Sequence, residues 1–270
     1  MIPPASLFDR RQLKRQRLRA VPGFADHDFL FREAALRLAD RLLDIKRDFP
    51  LALELGSRGG LMGVALQGQS RVGQLVGLDL DPALLEPGRI GVVADPGLPP
   101  FAPCSFDLVL SCLSLHWVDD LPGLLVQIRR MLKPGGLFLA SMLGGSTLFE
   151  LREALLLAES EIAGGAAPRV IPMADIKDLG GLLRRAGFEQ PVTDAETLTG
   201  EYPNPLALLA DLRGMGEANA LIHRQKTPMT RALSLRMAEI YQQRFASAQG
   251  RIPARFDILT LTGWTSPEGG

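Results

Sequence analysis

The segment Leu51-Ala52-Leu53-Glu54-Leu55-Gly56-Ser57-Arg58-Gly59-Gly60 ends an apolar run with an acid and follows it with a glycine-rich turn. In nucleotide-binding α/β folds such a turn lets the backbone approach a ligand closely and aims helix N–H groups at its polar end. By itself the pattern also describes an ordinary strand-to-helix turn. A second apolar run ends in Gly77-Leu78-Asp79-Leu80, its acid 25 positions after Glu54. A carboxylate at that strand tip can accept both hydroxyls of a ribose. A third run ends in Ala94-Asp95-Pro96, where a carboxylate can accept from an adenine amino group. Acids at three successive strand ends favour a ligand carrying adenine and ribose over three unrelated polar termini.

The elements that must position these residues follow from hydrophobic patterning. Short apolar runs at 51–55, 74–78, 90–94, 106–110 and 137–141 are separated by Gly/Asp turns and helical stretches, as in a parallel sheet buried on both faces. Helical spacing predicts helices over 29–45, 121–132, 148–161, 175–186, 206–215 and 231–245. Lys133-Pro134-Gly135-Gly136 reads as a sharp turn, and Gly187 as a helix cap. Strands at 191–198 and 256–262 would lie side by side at one sheet edge. The expected organisation is a helical segment over 1–48 covering the cofactor side, a domain over 49–264 with a helical insertion at about 200–248, and a polar tail at 265–270.

Thirty basic residues balance thirty acidic ones, so no global field favours nucleic acid or an anionic membrane. The exception is Arg10, Arg11, Lys14, Arg15, Arg17 and Arg19, which either meet an acidic partner or phosphates or form a solvated helix face. Cys104 and Cys112 match neither a zinc site nor a redox pair. No apolar run reaches the ~20 residues of a spanning helix, and no secretory signal is evident, so membrane insertion is not expected. A reducing compartment fits: bacterial cytoplasm, or the mitochondrial matrix in a eukaryote.

Glu54-Leu55-Gly56 with Gly60, Gly77-Leu78-Asp79, Ala94-Asp95, Ser105 to Val109 and Leu132 to Gly136 together resemble the class I S-adenosylmethionine-dependent methyltransferase family over most of the chain. Phe8-Asp9-Arg10, Ser111 to Val118, Gly144 to Arg152 and Met215 to Asn219 are similar, within it, to the mitochondrial complex I assembly factor 5 group. The resemblance implies an α/β Rossmann-like fold with a seven-stranded sheet of order 3-2-1-4-5-7-6, strand seven antiparallel. It implies S-adenosylmethionine above the strand ends, leaving as S-adenosylhomocysteine. The residues it places there are Glu54, Gly56, Ser57, Arg58, Gly59, Gly60, Asp79, Leu80, Asp95, Pro96, Ser111 and Leu113. Ser114, Trp117 and Arg152 would line the substrate pocket. His116 is either a general base or a histidine that packs and hydrogen-bonds at a helix start, and no metal is expected.

The chain departs from the family at the turn, where Arg58 stands in place of a glycine and Gly59 comes one position late. An arginine at positive φ costs about 1–2 kcal/mol. Alternatively the loop shifts so that Gly59 takes the bend and the guanidinium is free to pair with a methionine carboxylate. Three functions remain open: methyl transfer to a small-molecule, carrier-bound or protein acceptor, with malonyl-carrier O-methyltransferases as similar proteins; assembly of a respiratory NADH dehydrogenase with hydroxylation of a subunit arginine; and a non-catalytic chaperone. His27, His116 and His223 form no His-x-Asp arrangement for an iron oxygenase.

Overall fold

A computed structural model describes residues 6–165 and 167–268. Seven strands form one sheet: β1 (Phe49–Leu55), β2 (Val72–Asp79), β3 (Gly91–Val93), β4 (Phe106–Cys112), β5 (Leu132–Leu143), β6 (Glu189–Tyr202) and β7 (Ile252–Trp264). Their order is β3-β2-β1-β4-β5-β7-β6, with β7 antiparallel to both its neighbours and the other pairs parallel. The expected topology is therefore the observed one.

The central strands are buried along their length because side chains alternate between two covered faces. Ala52, Leu108, Leu110, Leu137 and Leu139 face α2 (Phe29–Leu43), α5 (Phe149–Ala163), α7 (Pro205–Gly214) and α8 (Arg231–Phe245). Leu53, Leu55, Val109, Phe138 and Ala140 face α4 (Leu121–Met131) and α6 (Ile176–Arg185). α2 thus belongs to the main core. Its Leu30, Phe31, Ala34, Ala35, Leu38 and Leu42 form one buried stripe, as a 3.6-residue period requires.

One turn differs from its expectation. Leu132 already pairs with Phe106, while Leu137 pairs with Leu108, so residues 133–136 form a bulge inside β5 rather than a turn before it. Gly135 takes φ +69° there, and the Thr265 hydroxyl donates to the Lys133 carbonyl at 2.7 Å.

α1 (Arg10–Ala20) lies across the carboxyl ends of β2 and β3. Asp9 caps it by accepting from the Gln12 N–H. The preceding segment is tied down twice: Asp119 accepts from the N–H groups of Leu7 and Phe8, and Phe8 pairs with Leu221 in an antiparallel bridge. Phe8, Leu13, Trp117, Ile171, Ala220 and Leu221 form a small apolar cluster of their own under this lid.

Candidate functional site

β1 delivers Glu54 into the interior, where its carboxyl accepts from the Ser57 hydroxyl and the Met62 N–H. Burial pushes this carboxyl up to about 8, so it is largely protonated at neutral pH. Gly56 adopts φ +75° with Ser114 Oγ packed against it, in the space a methyl would need. Within the irregular turn, Arg58 (φ +49°), Gly59 (+84°) and Gly60 (+89°) all take left-handed conformations, so Arg58 carries the positive φ and Gly59 shares the bend.

The Arg58 guanidinium is not free. It donates to the Met215 carbonyl and, at 3.1 Å, to Glu217, and it lies 5.0 Å and 4.7 Å from the ring centroids of Phe24 and Phe31. Arg17 enters the same volume from α1, 3.6 Å from Glu217 and 4.0 Å from Asp79. Its Nε and Nη2 find no hydrogen-bond acceptor among the described residues, so charge and confinement hold it. Burial, and then the neighbouring Arg17, push the Arg58 guanidinium down to about 10. Burial opposes ionisation of Glu217, but the His116 hydrogen bond and the two guanidinium charges bring its carboxyl down to about 2.

The strand-end acids are likewise engaged. Asp79, wholly buried, accepts from the N–H groups of Arg58 and Leu80. Asp95 accepts from the Gly97 N–H and pairs with Arg10 at 3.1 Å, beside the buried Pro96. Asp81 pairs with Lys14 at 2.8 Å. Arg10, Lys14 and Arg17 fall at i, i+4 and i+7, one face of α1. Of the alternatives for the basic N-terminal stretch, these three residues therefore meet acids, and the acids belong to the same chain.

After β4, the Ser111 hydroxyl donates to the Leu55 carbonyl. Leu113 takes φ +45° and donates its N–H to Ser141. His116 Nδ1 accepts from the Leu143 N–H at 3.5 Å, and Nε2 lies 3.2 Å from Glu217, which makes Nε2 the protonated nitrogen. Burial pushes the imidazole below its usual range. Both of its nitrogens are thus engaged within the chain. Trp117 donates to Glu217 and packs edge-on against Phe8 at 5.2 Å.

A cavity of about 790 Å³ opens beside this cluster, with Phe31, His116, Trp117, Leu143, Met215 and Glu217 in its wall. Arg15, Arg213 and Lys226 also line it and pair with no carboxylate among the described residues. Two expected pocket residues are elsewhere. Ser114 is buried against Gly56, and Arg152 turns toward the carbonyls of Gly145 and Ile171; Leu148, the N-cap of α5, and Leu151 within it line the cavity instead. Glu217, the centre of the cluster, was not among the expected site residues; its only signal was the Met215 to Asn219 match.

S-adenosylmethionine in the expected position would need Asp79 and Asp95 as acceptors and open space over the turn. In this arrangement both acids face arginines of α1, and Arg17 and Arg58 fill the ground between the turn and the cavity. None of the residues from Glu54 to Gly60, nor Asp79 or Asp95, lines the cavity. The residues as placed do not fit the cofactor. Among the described residues no group of three or more His, Cys, Asp or Glu side chains is arranged to hold a metal ion.

Strand order, the reversed β7 and the glycine turn after β1 define the fold of the class I S-adenosylmethionine-dependent methyltransferases. A family model described as a methyltransferase domain matches residues 53–140. The phosphoethanolamine N-methyltransferase 2 of Haemonchus contortus, solved with S-adenosylhomocysteine, superimposes with a TM-score of 0.55 at 16% identity over 95% of this chain and 60% of that one. The mouse (Mus musculus) protein named arginine-hydroxylase NDUFAF5, mitochondrial, is 40% identical over 96% of this chain and 77% of its own length. A malonyl-[acyl-carrier protein] O-methyltransferase of Gallionella capsiferriformans is 30% identical over 96% and 91%. The chain belongs to the NDUFAF5 family.

Proposed function

We propose that this protein serves the assembly of a respiratory NADH dehydrogenase by holding a segment of a client subunit in the cavity beside His116, Trp117 and Glu217. The observation that carries this reading is the cavity itself, lined by apolar Leu30, Phe31, Leu143 and Met215 together with His116 and Glu217 and by none of the turn residues, in a chain that matches NDUFAF5 along nearly its whole length. Arg15, Arg213 and Lys226, which pair with no carboxylate among the described residues, add positive charge to its lining, which favours an apolar client segment flanked by acidic residues. The setting is the cytoplasm of a bacterium or the mitochondrial matrix. Hydroxylation of a client arginine, which the relatives' name suggests, requires an oxygen-activating partner in addition to client binding.

The test is genetic and biochemical. A strain lacking the protein should contain several-fold less assembled NADH dehydrogenase on native gels; wild type should restore it, and Arg213→Glu/Lys226→Glu, both exposed positions, should not. A normal level of assembled enzyme in the deletion strain would refute the reading.

A second reading is favoured by the methyltransferase fold and by the malonyl-carrier methyltransferase relative. In it the cavity receives a small-molecule, carrier-bound or protein acceptor for methyl transfer from S-adenosylmethionine, with Glu54, Asp79 and Asp95 on the donor side. It requires Arg17 and Arg58 to withdraw, and methylated product formed from labelled S-adenosylmethionine by the purified protein would establish it.

A further inference from the structure

We infer that the ground above the glycine turn, which in this fold receives the adenosyl cofactor, is taken in this chain by its own Arg17 and Arg58, and that the resting protein does not bind S-adenosylmethionine.

Four observations converge. Arg58 stands inside the turn, and its side chain enters the volume a glycine would leave open, held by the Met215 carbonyl, Glu217 and two phenylalanine faces. The face of α1 lays Arg10, Lys14 and Arg17 on Asp95, Asp81 and Asp79, so the carboxylates positioned for ribose and adenine already have cations against them. The buried charges balance, with Arg17 and Arg58 against Asp79 and Glu217, and His116 held neutral by burial. A buried cluster that is neutral as a whole needs no outside ion. Finally, neither the acids Glu54, Asp79 and Asp95 nor the turn residues are among those lining the cavity.

S-adenosylmethionine carries one net positive charge. Entering this volume, it would have to displace two guanidinium groups and leave them without Asp79 and Glu217, or settle beside them as a third cation. Both arrangements are penalised in a buried site. Arg17 is the weaker occupant, since two of its nitrogens lack acceptors among the described residues, whereas both terminal nitrogens of Arg58 donate. The sequence departure at Arg58 and the docking of α1 therefore act together: the turn supplies one cation from below and the helix supplies another from above.

The experiment is calorimetric titration of the full-length chain with S-adenosylmethionine and S-adenosylhomocysteine, with hydrogen exchange at residues 56–60 and 79–80 in parallel. Wild type should give no saturable heat and no change in exchange up to about 1 mM ligand. The variant Arg17→Ala/Arg58→Gly, checked for folding by circular dichroism, should bind S-adenosylhomocysteine at least about tenfold more tightly than the wild-type limit. Should that variant not fold, Arg10→Ala/Lys14→Ala, which loosens α1 from outside the buried cluster, should show the same gain. Saturable wild-type binding in the micromolar range overturns the inference, as does a folded variant that binds no better than wild type. The assembly reading is tested separately, because its deletion phenotype does not depend on whether the adenosyl ligand binds.

Discussion

At Glu217, groups from three parts of the chain converge on one carboxylate: the charge of Arg17 from the N-terminal helix, and hydrogen bonds from Arg58 in the turn after β1 and from His116 and Trp117 after β4. Removing its charge leaves two buried guanidinium groups short of a counter-ion. Glu217→Gln should therefore destabilise the protein at pH 7 by about 3–5 kcal/mol, read from urea denaturation; equal midpoints would contradict the cluster. The pH dependence has a definite sign. The folded-state value lies below the ordinary 4.5, so Glu217 contributes its stability above pH 4.5 and loses it as pH falls toward 2; wild type and variant should converge there. Glu54 behaves oppositely. Its folded-state value is raised to about 8, so its contribution is greatest below pH 4.5 and falls away as pH rises through 8. Glu54→Gln should reduce the loss of stability between pH 5 and 9 by on the order of a few kcal/mol, measured as the urea midpoint at each pH. Sequence reading found Glu54, Asp79 and Arg58 because local spacing marks strand ends. It did not single out Arg17 or Glu217 as partners, because residues 200 positions apart carry no mutual signal in a single sequence, and Arg17 is one of six basic residues in a short stretch.

The strands and most helices were legible because burial on two faces imposes a continuous apolar run on each central strand and a stripe on each helix. Elements whose shape depends on a partner were not. The bulge at 133–136 exists because Leu132 keeps its pairing with Phe106 while Leu137 pairs with Leu108, and Pro-Gly-Gly alone reads as a stop. α1 was visible as a basic helix on the cofactor side, but the acids it meets there were not. Its outer pairs, Arg10–Asp95 and Lys14–Asp81, are partly solvated, so water and salt weaken them. Raising salt from about 0.05 to 0.5 M should screen them and speed amide exchange across residues 10–20 several-fold, with little change in the central strands. Uniform exchange at both salt levels would mean that apolar packing alone seats the helix. The edge strand β6 is also held by charge, with Arg37 and Arg41 of α2 reaching Glu196 and Asp194.

The molecule as a whole has two large cores, one on each face of the sheet, and the smaller apolar cluster that joins the N-terminal segment to Trp117 and to Ala220 and Leu221. Deleting residues 1–20 removes Phe8 and Leu13 from that third cluster and leaves the other two intact. The shortened chain should keep its far-ultraviolet dichroism, melt roughly 5–15 °C lower, and show red-shifted tryptophan emission as Trp117, 2% exposed in the intact protein, meets water. Unchanged emission would mean that the segment does not cover Trp117. Such a truncation would also bare Asp79, Asp81 and Asp95 together.

The connection from α1 to α2 is one short 3-10 turn, Val21–Asp26, and this fixes how hard the helix is to displace. A tethered occupant competes at an effective concentration that for short linkers reaches the millimolar range, so a free metabolite at micromolar levels starts at a disadvantage of about a thousandfold before any contact is compared. A single cut within that turn would abolish the advantage. The helix would then become an ordinary peptide ligand, lost on dilution, and the acids beneath it would answer to whatever cation the surrounding solution supplied.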